Sequence, residues 1–168
     1  MSQFLVGSLN EAFWYLNPEV GWLTPDDATA DAVRDLRVQG NTLSVYEGAD
    51  NESKAHIERI VVAIAAKGKQ EPVEVGYRLF DPGDVQKLGI EVVKSKGTLG
   101  APELNGLHRD LIQISAIKLG QLAAVIAHGR AGVVSAKDFE RILRKEVEAG
   151  RLALSGVNTD LRRWLRLG

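Results

Sequence analysis

The chain has 168 residues, 45% hydrophobic and 26% charged, with a formal net charge of −1. This is the profile of a globular domain, and a chain of this size buries roughly 70% of its unfolded surface without help from disulfides or metals. The absence of cysteine excludes disulfides, thiolate zinc sites, iron–sulfur ligation and cysteine nucleophiles together.

The opening stretch MSQFLVGSLNEAF has no basic segment followed by a long apolar run, so no secretory signal is expected. Residues up to position 22 collect Phe4, Phe13, Trp14, Tyr15 and Trp22, five of the ten aromatics. Such rings either anchor a terminus to a sheet or form an adhesive surface, since Trp and Tyr dominate interface hot spots. Thr24, Pro25, Asp26 and Asp27 then read as a helix start, with a cap, a first-turn proline and acids at the positive end.

Residues 41–48 alternate Leu43 and Val45 with Thr42 and Ser44, a strand pattern. A helix follows, capped by Asn51 or Ser53, with Ile57, Ile60, Val61 and Ile64 on one stripe and Gly68 closing it. Residues 73–81 form the clearest strand, Val73, Val75, Tyr77 and Leu79 sharing a face, and 90–97 reads as a third. Strand, helix and strand over 41–81 are long enough for a parallel crossover, although antiparallel pairing remains open.

The loop TLGAPELNG, 98–106, precedes what reads as helix to the end of the chain. A long helix is expected over about 107–128, ended by Gly129. A second runs from a Ser135–Asp138 pair resembling a capping box to about Glu148, with Phe139, Ile142, Leu143 and Val147 as its stripe. A short terminal helix places Leu161, Trp164 and Leu165 on one side. The expected fold is α+β, or a small α/β unit: about three strands with a crossover helix, then a C-terminal three-helix segment. The chain reads as one domain, 1–168. It would subdivide, if at all, into a sheet-containing region over residues 1–100 and a helical region over residues 101–168.

Residues 108–111 spell HRDL, the opening of a protein-kinase catalytic loop. Such a loop needs Asn at the eighth position from its His, where Ser115 stands, and no G-x-G-x-x-G loop exists. On the expected helix Asp110 is a solvated surface acid, and His108 lies on the apolar arc. His108 is then a core histidine, or a general acid–base group beside Glu103 or Asp110 if the 97–106 loop walls a cleft. His56, near the start of its own helix, is a second candidate. No metal-ligand spacing, nucleophile elbow or phosphate loop is present, so no metal and no cofactor are expected.

Charge is uneven. Residues 1–106 carry ten Lys/Arg against sixteen Asp/Glu, and residues 107–168 eleven against six. Arg141, Arg144, Arg162 and Arg163 are the candidate contacts of the basic region, which reads more simply as the outer faces of amphipathic helices than as a nucleic-acid surface. No stretch approaches the ~18 apolar residues of a membrane span. The sequence therefore points to a non-catalytic, cytoplasmic protein-binding domain, an accessory, adaptor or inhibitor-type partner or a self-associating chain. Phe13, Trp14, Tyr15 and Trp22 would join the four arginines as its binding residues. The alternatives are a small enzyme or ligand-binding protein using His108 and His56, and a nucleic-acid-associated regulator using the basic helices.

Overall fold

The computed structural model describes residues 3–9, 33–34, 36–48 and 54–168. Phe13, Trp14, Tyr15, Trp22, the helix start at Thr24 and the caps Asn51 and Ser53 lie outside the described residues.

Six strands are present among the described residues: β1 (Gln3–Leu9), β2 (Leu43–Gly48), β3 (Val75–Phe80), β4 (Glu91–Lys94), β5 (His108–Ile112) and β6 (Arg130–Val134). They form one sheet in the order β4-β5-β2-β1-β3-β6, every neighbouring pair antiparallel. The α-helices that lie wholly among the described residues are α1 (Lys54–Ala65), α2 (Pro82–Lys87), α3 (Ala116–His128), α4 (Ala136–Glu148) and α5 (Thr159–Leu165). The fold is α+β, with a sheet of six strands instead of three. Three helices do follow residue 100, but β5 and β6 are interleaved with them and join the same sheet.

Side chains alternate across the sheet and build a core on each face. Leu5, Tyr46, Val75, Tyr77 and Leu79 pack with Ile60 and Val61 of α1, Phe139 and Leu143 of α4, and Leu161 and Leu165 of α5. Phe4, Leu43, Val45, Phe80 and Leu111 pack on the opposite side with Val85 of α2 and with Leu122 and Ile126 of α3. Coverage on both faces explains why β1, QFLVGSL, shows no clean polar–apolar alternation: strands buried on both sides read as continuous apolar runs. Strands β2 and β3 both run antiparallel to β1. They are therefore parallel to each other one strand apart, and α1 is the crossover between them.

The long helix expected from residue 107 begins instead at Ala116. Ser115 is its cap, its hydroxyl accepting from the Lys118 N–H at 3.3 Å. Ahead of it, Gln113 takes a left-handed φ of 59°, which a continuing helix would not permit. HRDL is therefore a strand, pairing with β2 on one side and β4 on the other. The Ser135 cap holds, with Ser135 Oγ accepting from the Asp138 N–H at 3.1 Å. On α5, Leu161 and Leu165 are fully buried, whereas Trp164 is 53% exposed and is not part of the docked stripe.

Candidate functional site

β1 and β2 separate midway along their length. They pair only over Gln3, Phe4 and Leu5 against Gly48, Glu47 and Tyr46. Beyond that point β1 continues against β3 as far as Leu9, while β2 continues against β5 as far as Leu43. The sheet opens between them, and a cavity of about 440 Å³ lies in the opening. Gly7 and Ser44 face it from the diverging strands, Ile64, Ala65, Lys67 and Gly68 from the end of α1, and Thr98 and Leu99 from the following loop. Leu36 and Arg37 complete it from the segment leading into β2.

A two-residue turn sets that segment. Gln39 and Thr42 exchange backbone hydrogen bonds of 3.1 and 3.0 Å across Gly40 and Asn41. Both central residues have positive φ, 56° and 59°, the left-handed pair that matches the twist of a tight hairpin and that Gly and Asn tolerate best. The chain is folded back so that Leu36 and Arg37 lie beside β2.

Register assembles the polar side chains. Ser44 is directly opposite Asp110, and Tyr46 opposite His108, so all four project from one face of the β2–β5 pair. The Ser44 hydroxyl donates to Asp110 Oδ1 at 3.0 Å. Asp110 Oδ1 is 4.0 Å from His108 Nδ1, and the same nitrogen shares a hydrogen bond of 2.6 Å with Ser95 Oγ. The Tyr46 ring meets the imidazole edge-on, with centroids 5.1 Å apart. Burial pushes the His108 imidazole below its ordinary value; the Asp110 charge opposes the shift and Arg109 adds to it. His108 is therefore neutral at pH 7. Burial, with the Asp110 charge next, raises the Tyr46 phenol to about 12, so it stays protonated.

Ser95, His108 and Asp110 do not form a nucleophilic triad. In a triad the acid holds one imidazole nitrogen and the serine uses the other; here both partners sit at Nδ1. The arrangement orients a neutral imidazole and leaves Nε2 as the nitrogen not used by Ser95 or Asp110. Such a group recognises a ligand hydrogen bond or passes a proton.

Of the expected pairings, the structure brings together His108 and Asp110, and it places the 97–106 loop in the cavity wall through Thr98 and Leu99. Asp110 is not a solvated helix acid, since its side chain is only 26% exposed against β2. Glu103 points elsewhere, pairing with Arg59 at 2.9 Å. His56 sits in the first turn of α1, whereas the cavity meets that helix from Ile64 onward, roughly 12 Å further along its axis. The two histidines do not meet. Among the described residues no group of three His, Asp or Glu gathers for a metal, and no helix is long and apolar enough to cross a membrane.

The four arginines are engaged locally. Arg141 pairs with Asp138 at 2.8 Å and Arg144 with Glu140 at 2.9 Å. Arg163 pairs with Asp160 at 2.8 Å, and Arg162 donates to Thr159 Oγ1 at 3.0 Å. Ser44, Tyr46, Lys67, Ser95 and Thr98 were not expected as site residues. Cross-strand register and the divergence of β1 from β2 bring most of them together, and neither is written in local sequence. No family model, no curated protein and no solved structure matches this chain.

Proposed function

We propose that the protein binds a small molecule in the opening between β1 and β2, with His108 as its principal hydrogen-bonding group. The observation that supports this is the convergence of His108, Tyr46, Ser44, Lys67 and Thr98 on one cavity. Concave sites with a largely apolar lining and a few convergent polar groups are where small ligands bind. His108, held by Ser95 and Asp110, is preorganised for recognition, which reduces the ordering cost of binding. Thermal-shift screening of the full chain against small polar metabolites tests the reading. A ligand present at a hundred times its Kd stabilises by about 2.7 kcal/mol. The expected result is a set of hits whose stabilisation disappears in His108→Ala; hits that stabilise the variant equally would count against it.

A protein partner is the second reading, supported by Trp164, which is 53% exposed beside Arg163, Asp160, Gln70 and Glu71. Tryptophan and arginine together are the residues most enriched at interface hot spots. Sedimentation of the full chain with and without Trp164→Ala tests for self-association on this face. A variant that sediments as the wild type does would remove self-association through Trp164.

A further inference from the structure

Among the described residues, the wall of the opening between β1 and β2 carries two cations and no acid. Lys67 and Arg37 both line it, and among the described residues none of the lining side chains is Asp or Glu. Lys67 Nζ donates to the Thr98 carbonyl at 3.3 Å and the Thr98 hydroxyl at 2.9 Å. Those bonds hold the ammonium between the end of α1 and the loop after β4, with a third N–H left over. Arg37 approaches from the other side on a backbone with φ of 49°, a conformation uncommon outside glycine and set here beside the Gly40–Asn41 turn. Besides the polar groups Ser44, Tyr46, Thr98 and His108, the wall carries apolar side chains: Leu5, Leu36, Leu43, Ile64 and Leu99.

Asp110 stands behind Ser44 and His108, bonded to the first and 4.0 Å from the second. Its charge works against a bound anion. An anionic head meets the two cations that line the opening, whereas Asp110 does not line it, so attraction wins. A cationic head meets Lys67 and Arg37 directly and is excluded.

We propose that the opening takes an amphipathic anion, a carboxylate on an apolar body. The head is held by Lys67 and Arg37, and the body lies against Leu5, Leu36, Leu43, Ile64 and Leu99. The assignment rests on the reading of this opening as a ligand site and adds the chemical class of the ligand. Charge-assisted hydrogen bonds are roughly twice as strong as neutral ones, which is the source of the selectivity.

The test uses the full chain and three probes sharing one alkyl body: octanoate, 1-octanol and octylammonium, titrated by amide chemical-shift mapping. Octanoate is expected to bind tightest, with octanol weaker by about tenfold or more and octylammonium weakest. Lys67→Gln and Arg37→Gln should each bring octanoate toward the affinity of octanol. An octylammonium affinity equal to that of octanoate, or an octanoate preference that survives both substitutions, overturns the anion assignment. If all three probes shift Gly7, Ser44 and His108 with equal affinity, the site stands and the ligand class falls. If none of the three shifts those residues, both fall.

Discussion

Glu146 is the most consequential buried charge in the fold, and Glu146→Ala is the substitution that measures it. Its side chain is 8% exposed and accepts from Arg59 Nε at 2.9 Å and from Arg151 Nε and Nη2 at 2.9 and 2.7 Å. Through it α1 is tied to α4 and to the turn that ends α4. Removing one partner of a buried pair typically costs about 3–5 kcal/mol, because the opposite charge is left without compensation. Here the two guanidiniums remain 25% and 41% exposed and can be rehydrated, so the expected loss is about 2 kcal/mol. In a chain of this length that corresponds to about 4–8 °C of melting temperature. The hydrogen bond from Arg151 holds the Glu146 carboxyl below its ordinary value, burial opposes the shift, and Arg59 adds to it. A depressed folded-state value means that the stabilisation is complete above the unfolded carboxylate's 4.5 and is lost as pH falls from there through the folded value. Urea unfolding of wild type and variant at pH 7 and over the acid range reads both effects. A loss below about 0.5 kcal/mol at pH 7, or an acid slope unchanged by the substitution, would refute the reasoning.

Three other outcomes follow from particular contacts. Leu161→Ala should cost about 2–5 kcal/mol in thermal unfolding, because Leu161 is fully buried, and Trp164→Ala about 1 kcal/mol, because Trp164 is 53% exposed; equal costs would contradict the docking of α5. A Cβ on Gly156 would lie 2.4 Å from Gly100 Cα, whereas one on Gly106 meets nothing within 4 Å. Gly156→Ala should therefore lose about 1–3 kcal/mol by overpacking and Gly106→Ala should not, as chemical denaturation will show. By NMR the His108 imidazole should titrate below its ordinary 6.5, and lower still in Asp110→Asn, because burial depresses it and the Asp110 charge holds it up. Its contribution to stability is intact above 6.5 and declines as pH falls from there through the folded value; titration above 6.5 would contradict the burial.

Periodicity in the sequence locates the elements with one covered stripe or face. The Ile57–Ile64 stripe is α1, the shared face of Val75, Tyr77 and Leu79 is β3, and the Ser135 cap opens α4. Each is a local signal that the tertiary structure reinforces. The three missed strands have different physical reasons. β1 is buried on both faces, so alternation is lost. β5 is five residues long, and Leu107, Leu111 and Ile112 fit the i, i+4 spacing of the helix after it. β6, RAGVV, follows directly on the end of α3, where Gly129 and Gly132 suggest a turn. The candidate site was reached through His108, Asp110 and the 97–106 loop, with both side chains assigned to the wrong element. Ser44 meets Asp110 across 66 positions of sequence, and Ser95 meets His108 across 13. Pairing between distant strands, or across a loop, makes them neighbours, and no local pattern carries that pairing.

The most direct test of the binding site is whether the opening between β1 and β2 can be closed from within. A Cβ on Gly7 would be 3.7 Å from Ile64 Cδ1 and 3.9 Å from Val61 Cα, ordinary contacts, and Gly7 lines the opening, so Gly7→Val adds bulk to its wall and the melting temperature shows whether the added methyls are accommodated. Titration of octanoate into wild type and Gly7→Val, followed by amide shifts, is the measurement. The predicted result is saturable shifts at Ser44, Thr98 and His108 in the wild type and none in a variant of undiminished melting temperature. Equal binding by the folded variant, or wild-type shifts centred on Trp164 instead, would contradict it.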